Sequence, residues 1–273
     1  MDLPGEYVAA RGVLLDALKA LADHLSAIIL VGAQAVYLHT GSGQLAEPPM
    51  TTDGDLALDV TALHTEPEIT AALRAAEFQE GANPGSWIGN GGVAVDIMVV
   101  PSQSGRAKKG ARAAALAGHG AATARITPGL EPALVDHAPR TLEALSPDDH
   151  RRIDVNVAGP AALLCAKAIK IEERLADSQR GMAARLREKD ALDMLRLLQA
   201  VDTAELVAGF HRHFRHDVAR EMSSRALAFM RADATEPSSR LPQLAAAATG
   251  GDPTLAPSFA ALTQVLLRTL DEG

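Results

Sequence analysis

The chain has one cysteine, Cys165, in 273 residues. That excludes an internal disulfide framework and fits a reducing compartment. Cys165 sits in the helical run AALLCAKAIK and reads as a small core residue rather than a nucleophile. Aromatics make up only 3% of the sequence against 47% hydrophobic residues, so Ala, Leu and Val must build the core. No uncharged apolar stretch reaches the roughly 18 residues of a membrane-spanning helix. The start, MDLPGEYVAA, lacks the basic-then-apolar order of a secretory leader, so the expected location is cytoplasmic, with no membrane partner. A formal net charge of -8 argues against broad electrostatic affinity for nucleic acid. Nor are aromatics interleaved with basic residues for base stacking. Internal repeats, heptads and low-complexity tails are absent beyond an alanine-rich link at 245–250.

What is present centres on residues 28–59. Ile28-Ile29-Leu30-Val31 reads as a buried strand that breaks at Gly32-Ala33 into a short helix, Ala35 to His39. A glycine there permits close backbone approach, and a helix N-terminus offers free N–H groups to an anion. A Gly-, Ser- and Pro-rich loop, 41–50, leads to Thr51-Thr52-Asp53-Gly54-Asp55 at the head of a second strand. Strand side chains alternate, so Asp53 and Asp55 share one face, about 7 Å apart at Cα, while Leu56 and Leu58 share the other. Asp59 has the same parity but lies about 13 Å from Asp55, too far to share a cation, and reads as a strand-end residue.

Val93 to Val100 is the next strong strand, with a lone acid, Asp96, among apolar residues. A carboxylate in such a place needs a partner. Either an arginine pairs with it, or it faces Asp53 and Asp55 and completes a cation-binding triad.

Flanking segments are plainer. An amphipathic helix is expected over 5–24, and another over 66–78 capped by Thr65. Short strand-like pieces fall at Ala133-Leu134-Val135 and Arg152 to Val157. Arg106, Lys108, Lys109 and Arg112 make a local basic cluster in a small-residue loop, open to phosphate contact or simply solvated.

A helix should start at Pro160. Within it Lys167, Lys170 and Arg174 share a face. The next helix, MAARLREKDALDMLRLLQA, carries Lys189-Asp190-x-x-Asp193. Asp190 falls on the apolar stripe with Leu186, Met194 and Leu197, where it would pair with Lys167 or Lys170. Lys189 and Asp193 stand at i, i+4 and could pair with each other. From Thr203 onward the pattern is helical, with breaks at Pro237, Gly250-Gly251 and Pro257. His211, His213 and His216 lack the i, i+4 spacing of paired metal ligands and read as a solvated or domain-contact face.

Strand, Gly-Ala turn, short helix and Thr-Thr-Asp-x-Asp together resemble the signature of the DNA polymerase β-like nucleotidyltransferase superfamily. Within it the chain looks most like AbiEii-type abortive-infection toxins and their uncharacterised bacterial relatives, over residues 28 to about 199. The resemblance implies an α+β fold, a mixed sheet flanked by helices in 1–157, followed by a helical domain, 158–273, that closes a nucleotide cleft. It implies catalytic, metal-binding carboxylates at Asp53, Asp55 and Asp96, with Mg²⁺ or Mn²⁺ as cofactor. Nucleotide contacts would come from Gly32, Ala33, Thr52, Lys167, Lys170, Lys189 and Asp190. The implied reaction moves a nucleoside monophosphate from a nucleoside triphosphate to an acceptor hydroxyl on a tRNA 3′ end, a protein or a small molecule. The setting would be phage defence, with an antitoxin as partner. Two positions depart from the pattern. Ala33 stands where the family usually has Gly or Ser, and Pro49 stands where many members have Arg. They motivate the alternative of a nucleotide-binding or interaction module whose catalysis has decayed.

Overall fold

The computed structural model describes residues 3–41, 50–107, 110–179 and 188–273, with backbone only for 177–179. The fold is α+β, a mixed sheet with flanking helices followed by C-terminal helices. Two compact units divide the chain, and neither is one continuous stretch. The first comprises Met1–Ala35, Pro48–Leu130 and His137–Ala158. The second comprises Val36–Glu47, Glu131–Asp136 and Gly159–Gly273.

The first unit contains the whole sheet. Its strands are β1 (Ile28–Val31), β2 (Asp53–Leu58), β3 (Gln79–Glu80), β4 (Ser86–Ile88), β5 (Ala94–Val99), β6 (Arg125–Ile126), β7 (His137–Glu143) and β8 (Arg152–Ala158). They lie in the order β3-β4-β5-β2-β1-β8-β7. Strand β4 pairs with the N-terminal half of β5 and β6 with its C-terminal half. Strands β1, β2 and β5 are central, and their apolar residues are almost fully buried, as strands covered on both faces require.

Helix α1 (Gly5–Ala20) covers one face of the sheet with Leu14, Leu15 and Leu18. A Cβ on Gly54 would stand 3.0 Å from Leu14 Cδ1, so this glycine lets helix and strand approach closely. Gly54 faces α1, and Asp53 and Asp55 therefore look toward the opposite face. After β1 the chain turns directly into α2 (Gly32–Thr40). Helix α3 (Ile69–Ala75) is shorter than its pattern suggests. Glu68, not Thr65, precedes its first turn, and the Glu68 side chain does not cap it.

The second unit is helical. It holds α4 (Pro160–Gln179), α5 (Glu188–Ala200), α6 (Thr203–Phe214), α7 (Asp217–Asp233), α8 (Arg240–Ala247) and α9 (Leu255–Glu272). Two expectations fail here. Ala133 and Leu134 lie in a 3-10 turn, Glu131–Leu134, and form no strand. Pro257 does not break the chain, because it sits in the first turn of α9, where its missing N–H is unneeded. No helix among the described residues is long and apolar enough to cross a membrane.

Candidate functional site

The carboxylates are positioned by the sheet. Strands β2 and β5 pair in parallel, with Asp53 opposite Ala94 and Asp55 directly opposite Asp96. Paired residues on neighbouring strands point to the same face, with the strands about 4.8 Å apart. All three acids are half-buried on that face, and Gly54, Leu56, Val95 and Ile97 are buried on the other.

A bolt of buried polar groups fixes the head of β2. The Tyr7 hydroxyl accepts from Arg11 Nη2 at 3.0 Å, and Arg11 Nε donates to Gln34 Oε1 at 2.7 Å. Gln34 Nε2 then donates to the Asp53 carbonyl at 3.0 Å. Arg11 is 3% exposed, and burial pulls its guanidinium below its ordinary value. The Thr51 hydroxyl donates to Asp53 Oδ1 at 2.6 Å. Thr52 is exposed and Ala33 is buried.

Backbone register brings Asp55 and Asp96 together, but their side chains have partners on opposite sides. Asp55 leans toward the turn after β1. A Cβ on Gly32 would fall 1.9 Å from Asp55 Oδ2, so the space beside Gly32 is filled by that carboxylate. Gly32 has φ +69, and it opens α2, whose N-terminus favours a negative group. Asp96 leans the other way, toward β6, where Arg125 Nη2 donates to its Oδ2 at 3.0 Å. Arg125 pairs in register with Met98, two residues past Asp96 on the same face, and also contacts Met98 Sδ at 3.5 Å.

Of the two readings open for Asp96, the arginine partner is present. Among the described residues no group of three His, Cys, Asp or Glu side chains is arranged to hold a metal ion. The donors suit a hard divalent cation in type, but as placed Asp53, Asp55 and Asp96 do not converge on one.

The lysine cluster lies in the second unit. Lys167 on α4 is 5% exposed, and its Nζ donates to Asp190 Oδ1 at 2.8 Å and to Asp193 Oδ2 at 2.6 Å, both on α5. Asp190 also accepts from Lys170 at 3.2 Å and from Arg174 at 2.8 Å. Burial alone would lower Lys167, but the two carboxylates outweigh it and hold the ammonium above the usual lysine value. Burial likewise opposes ionisation of Asp190, yet Lys167, Lys170 and Arg174 hold its carboxyl below the usual range.

The expected pairing of Asp190 with Lys167 and Lys170 is therefore present. Asp193, expected to pair with Lys189, serves Lys167 instead. Lys189 is half-buried near the start of α5. Leu186, Lys108 and Lys109 lie outside the described residues, whereas Arg106 and Arg112 are exposed.

A second buried network escaped the sequence. Asp136 accepts from Arg212 Nη1 and, at 3.1 Å, from His213 Nε2. With Nε2 donating to the carboxylate, His213 Nδ1 accepts from the Ser223 hydroxyl at 3.0 Å, and Cys165 donates to Ser223 Oγ at 3.8 Å. Burial opposes ionisation of Asp136, but His213 and Arg212 outweigh it and keep the carboxyl below its ordinary value. His213 is fully buried, which corrects its assignment to a solvated or domain-contact face. The signal was available, because Leu206, Phe210 and His213 recur on one stripe of α6. Asp, His and Ser are the members of a hydrolase triad. Ser223 and Cys165 are nevertheless fully buried, and burial pushes the thiol up to about 12, so neither is a nucleophile.

A third group, His24, His64 and His119, has ring centroids 5.5 and 6.4 Å from His24. Both His119 nitrogens are engaged, with Ile69 N–H and the His64 carbonyl, so the trio makes no metal site.

No protein-family model matches the chain, and neither a curated protein nor a solved structure matches it significantly.

Proposed function

We propose that the chain is a nucleotidyltransferase that moves a nucleoside monophosphate from a nucleoside triphosphate to an acceptor hydroxyl. The observation that carries this is the β2–β5 register. It sets Asp96 directly opposite Asp55, with Asp53 on the same face, immediately beside the glycine turn after β1. Three carboxylates on one face of neighbouring strands suit proton removal from an attacking hydroxyl, a task for one of them. The acceptor is a tRNA 3′ end, a protein or a small molecule, the setting a cytoplasmic defence system with an antitoxin partner. Mg²⁺ or Mn²⁺ would be the cofactor of such a reaction. Among the described residues the side chains as placed do not form its site.

A second reading, a nucleotide-binding module without catalysis, is favoured by specific contacts. Asp96 is held by Arg125, and Lys167, expected to touch phosphate, is sealed between Asp190 and Asp193. Under both readings Lys167 is a structural ion.

Thermal melting with and without nucleoside triphosphate and Mg²⁺ tests whether nucleotide binds at all. Under either reading the triphosphate raises Tm. Under the enzyme reading that rise requires the divalent cation and is lost in Asp53→Asn. Absence of any nucleotide effect contradicts both.

A further inference from the structure

The disagreement between register and side-chain placement has a simple physical origin. Two carboxylates on directly paired residues of adjacent strands repel, and each is stabilised by turning toward a separate source of positive potential. For Asp55 that source is the N-terminus of α2 beside Gly32, on the β1 side of β2. For Asp96 it is Arg125, on the β6 side of β5. Arg125 is well anchored for the task. Its backbone pairs with Met98 of β5, and the chain beside it packs so closely on Gly85 that a Cβ there would lie 2.4 Å from the Arg125 nitrogen. Gly85 itself takes φ +76, which only glycine adopts without strain. The Arg125 side chain is 28% exposed and that of Asp96 19%, so solvent screens the pair only in part.

We propose that Arg125 is the built-in counter-cation of this site, occupying on Asp96 the place a divalent cation would take and holding that carboxylate away from Asp55. The proposal rests on the nucleotidyltransferase reading of the three acids. Arg125 is then a positioning residue. It holds the Asp96 carboxylate on the β6 side, so that the three acids as placed do not converge on a cation. A divalent cation at the three acids would have to compete with Arg125 for Asp96.

The test is Mn²⁺ binding, measured by electron paramagnetic resonance of the free ion, on the full chain without nucleotide. Wild type is compared with Arg125→Gln, with Asp96→Asn and with the double variant. Removing a charge-assisted hydrogen bond of this kind should tighten Mn²⁺ binding about ten-fold or more. The gain should vanish when Asp96→Asn is added.

Circular dichroism checks the fold. If Arg125→Gln is not folded, Arg125→Lys decides, because it keeps a charge but loses the planar fork and should bind between wild type and Gln. If wild type and the Arg125 variant bind Mn²⁺ equally and both lose it with Asp96→Asn, Arg125 does not compete, and the proposal fails while the carboxylate reading stands. If neither binds Mn²⁺, the proposal and the metal-dependent form of the enzyme reading fail together.

Discussion

Single residues carry most of what is distinctive here, and Lys167 is the clearest case. The family resemblance implied that it contacts phosphate, yet its ammonium is consumed by Asp190 and Asp193. Lys167→Met leaves Asp193 buried without its cation and Asp190 with only Lys170 and Arg174, and should cost about 3–5 kcal/mol, read by chemical denaturation. A loss within 1 kcal/mol would mean the cluster relaxes or floods with water. Gly32→Ala should cost about 1–2 kcal/mol for its left-handed backbone alone. It should also displace the Asp55 carboxylate that fills the space beside it, visible as a change in divalent cation or nucleotide response. The acids themselves were legible from alternation and from the rarity of a lone Asp in an apolar strand. Arg125 was not. It lies 29 residues beyond Asp96, in the two-residue strand β6, too short to leave a periodic trace. His213 was legible in principle from its stripe on α6 and was outweighed by its charged neighbours.

Among elements, β2 depends on groups distant in sequence. Arg11 on α1 and Gln34 on α2 hold its first carbonyl, so the strand that presents the acids is tied to two helices at once. Gln34→Leu strands the Arg11 Nε and the Asp53 carbonyl without partners. It should cost about 1–3 kcal/mol and speed amide exchange at the head of β2, a pattern that hydrogen exchange resolves by residue. A uniform change across the sheet would contradict this local role. The major strands and helices were readable because their patterns are long: β1, β2 and β5 as apolar or alternating runs, α4 from its proline start, and the region after Thr203 as helical, though without the break between α6 and α7. Short elements were not. Residues 133–135 have strand-like composition, but three residues carry too little pattern to separate a strand from a 3-10 turn.

At the scale of the molecule, the resemblance led to the expectation of an α+β fold, sheet part before helical part, and that fold is present. The chain's division is less regular than that order suggests, since Glu131–Asp136 belongs with the helical unit and His137–Ala158 with the sheet. Asp136 explains the helical allegiance of its segment, bonded to His213 and Arg212 of α6. Buried carboxylates held below their ordinary value of 3.8 also govern acid stability. For Asp190 and Asp136 the folded value lies below the unfolded one. Their stabilisation is present above about pH 3.8 and is lost as pH falls through the folded values. Lys167 has the opposite sign: raised above 10.5, it contributes fully below that pH and loses its contribution only at still more alkaline pH. Denaturation midpoints should therefore drop below pH 4, and Asp190→Asn, though less stable at neutral pH, should show a shallower acid dependence. An equally steep acid slope in that variant would assign acid sensitivity elsewhere.

Label transfer tests the central claim most directly. The full chain is incubated with Mg²⁺, total cellular RNA and each α-labelled nucleoside triphosphate in turn, beside Asp53→Asn and Asp55→Asn. The nucleotidyltransferase reading predicts label in RNA or protein with wild type and none with either variant, naming base and acceptor class together. With RNA, protein and a panel of small hydroxyl acceptors all supplied, no transfer despite nucleotide binding would contradict it and leave the binding module in its place.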